Sequence, residues 1–199
     1  MGQHGVWGKG NVTFPQDMYE ESVKVPCIIT HPEGRRGQVS DALVGACDIY
    51  PTMVALSGSS DRQPEKRPGQ DLSPLLYGES WDQASAFAVC EEYGPVRMIR
   101  TAKYKYVHRY PYGPNELYDL VADPEEQENR VEDPACEDLV VELRGRMEAY
   151  HREYGDPALD GALQPNTGLG QVGRVGGEAS AVRKFHGEAL QRTVKQERG

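Results

Sequence analysis

The chain has 199 residues, room for one domain and little more. Val, Leu, Ile and Phe total 38 residues, close to the ~20% below which a packed core is hard to sustain, and 22 glycines with 14 prolines make the chain loop-rich. The net charge is −9, with eleven acids against Arg130 alone in residues 116–142; that surface excludes a phosphate-backbone binder, and no apolar run approaches the ~20 residues of a membrane span.

The start, Met1-Gly2-Gln3-His4-Gly5, has neither a basic nor an apolar region. No signal peptide is expected, and the chain as given reads as cytoplasmic. Gly2, Gly5, Gly8, Gly10 and Pro15 make residues 1–22 irregular and let backbone approach a neighbour closely. Val23–Thr30 reads as a buried strand, its first half pushed toward an edge by Pro26. A turn follows at His31 to Gly37. Asp48 reads as the N-cap of a helix Ile49–Leu56, with Pro51 harmless in the first turn and a stop at Ser57-Gly58. Residues 59–70 are a polar loop, and Leu72–Leu76 a short apolar turn.

Ala84–Glu91 reads as a second strand. Val96–Thr101 and Tyr104–Tyr110 read as a hairpin about Ala102-Lys103. In its second arm Tyr104, Tyr106, His108 and Tyr110 alternate with Lys105, Val107 and Arg109, the pattern of a half-buried strand. Glu116–Leu120 reads as a further strand. The last long element is a helix capped by Asp133 with Pro134 at its first position. Its apolar stripe is Leu139, Leu143, Met147, Tyr150 and Tyr154, and it ends at Gly155-Asp156-Pro157. From Gly161 on, eight glycines in 39 residues suggest a tail that wraps or frays, with a short helix at Ala179–Val194. The acidic run reads as a solvated loop and helix start.

Cys27, Cys47, Cys90 and Cys136 have no C-x2-C spacing and read as buried free thiols, so no metal site is expected from them. The sequence holds no G-x-S-x-G, no H-E-x-x-H, no Walker loop and no adjacent aspartates. One dense polar constellation remains, Gly2-Gln3-His4-Gly5-Val6-Trp7-Gly8-Lys9-Gly10-Asn11. Lys9 on such a backbone could serve as a point charge for an oxyanion. An exposed surface loop is the alternative.

The stretch His4-Gly5-Val6-Trp7-Gly8-Lys9-Gly10, followed by Met18-Tyr19-Glu20-Glu21-Ser22-Val23-Lys24-Val25-Pro26, resembles the later part of the sulfatase catalytic domain. Four more segments match in order: Asp48-Ile49-Tyr50-Pro51-Thr52; Gly69-Gln70-Asp71-Leu72-Ser73-Pro74-Leu75-Leu76; Arg100-Thr101 with Lys103 to Tyr106; and Glu116 to Asn129 with its Asp123-Pro124. Sulfatases are formylglycine-dependent sulfuric ester hydrolases of the alkaline phosphatase superfamily. The resemblance covers roughly residues 1–160. It implies an α/β fold, the C-terminal part of a sulfatase-like sandwich, with a small antiparallel sheet covered by one helix. The implied division is residues 1–92 in the catalytic α/β unit, 93–160 in the antiparallel subdomain and 161–199 in the tail.

The resemblance also marks what the sequence lacks. No cysteine or serine is followed by x-Pro-x-Arg, so the formylglycine nucleophile is absent. The family's calcium ligands, an Asp-Asp pair and a Ser-Asp-His/Asn-Gly motif, are absent too. The chain thus reads as a C-terminal portion, inactive alone, that a missing N-terminal sulfatase portion would complete. The implied roles are Lys9 on the sulfate group, and His4 contacting substrate or protonating the leaving oxygen. Tyr93, Arg97 and His108 are candidates for the substrate rim. The implied substrate is a sugar or aryl sulfate ester. Alternatives are phosphonate or phosphate ester hydrolysis on the same scaffold, and a non-catalytic structural or interaction module.

Overall fold

The computed structural model describes residues 4, 17–59, 66–80, 87–92, 96–110, 113–160 and 162. Its centre is an antiparallel sheet of β1 (Phe87–Glu92), β2 (Val96–Thr101), β3 (Tyr104–Arg109) and β4 (Glu116–Asp119), in that spatial order. The hairpin turns where the sequence predicts, with Arg100 opposite Lys105 and Val96 opposite Arg109. Thr101 closes the turn, its Oγ1 accepting from the Tyr104 amide at 2.9 Å and donating to the Tyr104 carbonyl at 3.1 Å. β1 begins at Phe87, inside the span expected for it; residues 84–86 lie outside the described residues.

The period-2 pattern of β3 predicts one wet face, and the structure corrects this. Lys105, Tyr106, Val107, His108 and Arg109 are all buried. One face carries Ile99, Tyr106 and Leu117 against Leu143, Met147 and Cys136. The other carries Val96, Met98 and Val107 against Met18. The sheet is therefore a middle layer. A long helix covers one side and the segment around residues 17–20 covers the other.

That helix is α4 (Glu137–Tyr154), entered through a 3-10 turn at Pro134–Cys136. Asp133 accepts from the Ala135 amide at 2.9 Å, which satisfies one orphan donor of the turn. Leu143 and Met147 are the buried positions of the predicted stripe, with Leu139 packed beside them.

The remaining α-helices among the described residues are α1 (Glu20–Val23), α2 (Ile49–Leu56) and α3 (Ser73–Tyr77). The strand expected over Val23–Thr30 does not form. Val23 closes α1, and the residues after it have no ladder, with Ile28 90% exposed. A strand exists only through its pairing, and the described strands pair with one another alone. α2 has the predicted bounds, but Asp48 is not its side-chain cap. Its carboxylate instead accepts from the Gly45 amide at 2.6 Å and the Gln70 amide at 2.7 Å. Thr52 donates to the Asp48 carbonyl at 2.6 Å and accepts from the Leu72 amide at 2.9 Å. Gly69, at φ +96°, lies so close that a Cβ there would sit 2.1 Å from the Cys47 carbonyl oxygen.

The thiols divide. Cys136 is buried as expected, whereas Cys27 is exposed on the unpaired stretch after α1 and Cys47 is exposed in the turn ahead of α2, with the Tyr150 hydroxyl 3.8 Å from its sulfur. The Cys90 side chain and the expected tail helix Ala179–Val194 lie outside the described residues. No helix among the described residues is long and apolar enough to cross a membrane.

Two outcomes follow from this layering. Leu143→Ala should cost about 2–5 kcal/mol in a denaturant titration, while Val141→Ala on the open face should stay within about 0.5 kcal/mol. In hydrogen exchange, residues 96–109 and 137–154 should be slower than 24–58; equal protection would contradict the arrangement.

Candidate functional site

The site candidates begin at His4. Its ring stacks on Tyr19 with centroids 3.7 Å apart and planes 5° from parallel, and both residues are buried. His4 and Tyr19, on either side of residues 5–16 in the sequence, are thereby in contact. Residues 5–16, with Lys9, lie outside the described residues, as does Tyr93. The Tyr19 ring lies 6.2 Å from that of Tyr118 on β4. Burial first, and then the Glu116 carboxylate, push both phenols far above their ordinary range, so both stay protonated.

Beside this stack lies an ammonium with no exposure at all. Lys105 Nζ is 2.8 Å from Glu20 Oε1, 2.8 Å from Glu126 Oε1 and 3.0 Å from the Met18 carbonyl oxygen, to which it donates. Glu126 Oε2 accepts from the Glu20 amide at 2.7 Å. Arg100 adds a second cation, 3.4 Å from Glu20 Oε2. Burial raises the Glu20 carboxyl, but Lys105 and Arg100 together outweigh it and hold the group below its usual value. Glu126 lies deeper, and there burial wins over the pull of Lys105, so its carboxyl sits above the usual value.

His4, Glu21 and Glu126 form the one metal-capable group among the described residues, with ligand atoms within 4.8 Å of one another. His4 Nε2 is 3.6 Å from Glu21 Oε2. The group does not suit calcium. That ion takes six to eight oxygen ligands, while here one donor is nitrogen and Glu126 already faces the Lys105 ammonium.

Arg97 and His108 lie on the opposite face of the sheet, as register partners under α4. The structure does not bring them together with His4. Arg97 Nη2 pairs with Asp160 Oδ1 at 2.5 Å, and its guanidinium covers the Tyr110 ring at 5.4 Å. The His108 ring meets the edge of Tyr110 at 4.3 Å, and its Nδ1 is 2.8 Å from the Tyr106 hydroxyl. Burial pushes Tyr106 up to about 12, so its hydroxyl stays protonated beside the His108 ring. Burial, helped by Arg144 and Arg97, lowers His108 to about 4.

Part of the acidic run is likewise not solvated. Glu116 is buried 3.3 Å from Arg109 Nη2, and Asp119 lies 3.7 Å from Lys103. Sequence reasoning passed over Lys105, Glu20 and Glu126. The signal that could have found them was a lysine alternating in step with Val107, on the same side of an apolar strand.

A family model described as N-sulphoglucosamine sulphohydrolase, C-terminal, matches residues 2–153. The delta 4,5-hexuronate-2-O-sulfatase of Bacteroides thetaiotaomicron is 32% identical over 149 residues, covering 70% of this chain and 31% of that protein. An ulvan-active sulfatase of Formosa agariphila is 32% identical over 151 residues, covering 71% and 29%. A solved Bacteroides thetaiotaomicron structure assigned to the sulfatases superposes with TM-score 0.60 at 30% identity, over 71% of this chain and 32% of that one. The phosphonate monoester hydrolase of Silicibacter pomeroyi shares the fold, with TM-score 0.52 at 23% identity. The chain spans about a third of the length of these sulfatase relatives.

The lowered His108 carries a signed expectation. The unfolded chain protonates this imidazole near ~6.5 and the folded chain only near 4. Its neutral burial thus favours folding fully above pH ~6.5, and that share is lost as pH falls from ~6.5 to 4, by up to about 1.4 kcal/mol per pH unit. Urea titrations across this window should show the slope, and His108→Gln should flatten it.

Proposed function

The chain belongs to the sulfatase family, of which it carries the C-terminal part, and from that premise we propose that it completes an enzyme hydrolysing sulfate esters of sugars. The observation that carries this reading is the pinned base of residues 5–16. His4 and Tyr19 stack at 3.7 Å, and the Met18 carbonyl and Glu20 amide are tied to the sheet. A segment held at both ends in this way can present Lys9 at a set place.

Lys9 in this reading stabilises charge on the sulfuryl oxygens, which grows as the ester bond breaks. A fixed ammonium acts there without reorganising. His4, pressed against Tyr19, fixes the base of the segment and leaves proton transfer to the leaving oxygen to another group. For the substrate rim, Tyr93, Arg97 and His108 stay the residues that the family resemblance suggests, with Arg97 and His108 buried on the α4 side of the sheet. The family mechanism uses a formylglycine and a metal ion. Both would come from an N-terminal portion, which would also cover the exposed Ile28, Val39, Ile49, Tyr50 and Met53. The division expected from the sequence, 1–92 and 93–160, would shift to Phe87, because β1 pairs with β2 and so joins the antiparallel sheet, while the residues ahead of it would join the catalytic α/β unit. Sugar sulfates are favoured as substrates because the 2-O-sulfatase and the ulvan-active sulfatase named above are both relatives.

The test is reconstitution. The chain alone should not turn over an aryl sulfate above a denatured control. Fused to or co-expressed with an N-terminal sulfatase portion, it should do so, and faster than on a phosphonate monoester. In that enzyme Lys9→Ala should lower kcat by roughly 100- to 1000-fold with an unchanged melting curve. Lys9→Arg should rescue poorly, because its planar fork replaces a compact charge. A near-normal kcat in Lys9→Ala would overturn the assignment.

A further inference from the structure

We propose that Lys105 and Glu126 are positioning residues: together with Glu20 they set the place at which the chain enters and leaves residues 5–16. The proposal deepens the reading of Lys9 above and rests on it for its catalytic meaning.

The geometry is that of a register lock. An ammonium has three N–H donors. Those of Lys105 face Glu20 Oε1 at 2.8 Å, Glu126 Oε1 at 2.8 Å and the Met18 carbonyl oxygen at 3.0 Å. Glu126 Oε2 then takes the Glu20 amide at 2.7 Å. The two peptide groups flanking Tyr19 are thus each held by a charged side chain, and Tyr19 is the platform on which His4 stacks. Packing of Met18 on Val96, Met98 and Val107 supplies burial but no register, since apolar contacts tolerate a slide. A slide by one residue here would strand a buried ammonium and a buried carboxylate without partners, which proteins do not sustain.

Charge balance supports a built arrangement. Glu20 and Glu126 offset Lys105 and Arg100, two against two. Backbone geometry supports it as well. Glu126 sits at φ +53°, a conformation that non-glycine residues rarely hold unless their surroundings require it. Here it turns the carboxylate inward from the loop after β4. A buried pair of this kind adds little net stability compared with apolar side chains of similar size; its use is to select one geometry.

The experiment reads position on the full chain, with no activity required. Trypsin cuts after Lys9, and mass spectrometry gives that rate against the cut after Arg36 in the exposed turn. Amide exchange at Ile99, Tyr106 and Leu117 reports whether the sheet is intact. In Glu126→Gln and Lys105→Met, cutting after Lys9 should rise by about 10- to 100-fold, the loss of one or two charge-assisted contacts. Cutting after Arg36 and sheet exchange should not change, and Lys103→Met should leave all three readouts alone. If Lys105→Met fails to fold, Glu126→Gln, which keeps the side chain's shape, decides. Cutting after Lys9 that moves less than about twofold in a folded variant overturns the proposal. So does a rise matched by sheet exchange in both variants, since the cluster would then only hold the fold. In the reconstituted enzyme, Glu126→Gln should lower kcat with KM kept. A Lys9→Ala enzyme with normal kcat, beside a positive trypsin result, leaves the positioning role standing and removes the catalytic reading of Lys9.

Discussion

One ammonium, that of Lys105, joins three stretches of chain that are far apart in sequence. The Met18 carbonyl lies 87 residues before it, and the Glu20 amide lies 106 residues before the Glu126 that holds it. Every group in the cluster is an expensive one to bury unpaired. The segment around residues 17–20 can therefore cover the sheet only in the register that pairs them. That requirement fixes the second layer of the molecule, places Tyr19, and gives His4 its stacking partner.

The sheet is buried on both faces by different means. Toward α4 the contact is apolar, with Leu143 and Met147 set on Ile99, Tyr106 and Leu117. Toward the N-terminal segment it mixes Met18, Val96, Met98 and Val107 with charged groups, each answered by an opposite charge or a backbone partner. This division lets a chain poor in large aliphatic residues build a two-sided core. Tyrosine supplies area, and the lysine and arginine stems supply more while their heads are paired.

The motifs that carry the family resemblance hold one another. Asp48 and Thr52 of the Asp-x-x-Pro-Thr stretch bond the amides of Gln70 and Leu72, and Gly69 is needed because the Cys47 carbonyl lies where a side chain would go. The Glu116–Asn129 stretch contributes Glu126 to the Lys105 cluster, and Asn129 bonds the Leu117 amide at 2.9 Å. Their order along the sequence records contacts among backbone groups, which explains why several modest motifs together identify the family.

What the sequence by itself determined was the local part. The β2–β3 hairpin follows from alternation broken by a two-residue turn, and α4 from an apolar stripe behind an Asp-Pro start. The bounds of α2 follow from its proline and its Ser-Gly stop. These depend on neighbours within a few residues, and such neighbours are visible in a string of letters. The tertiary structure decided everything that needed a distant partner. Val25–Thr30 has strand-forming residues but no ladder, because pairing is a property of two segments. Glu116, Asp119 and Glu126 look like part of a solvated acidic run, yet each lies against a cation contributed by β3 or the turn that leads into it. Lys105 and Arg109 alternate in step with the apolar Val107, but the segment that covers their face lies some ninety residues earlier. His4 and Tyr19 meet only because that segment is locked in place. Charge pairing at long range leaves no periodicity in the sequence, and for that reason the position of the candidate site had to come from the fold.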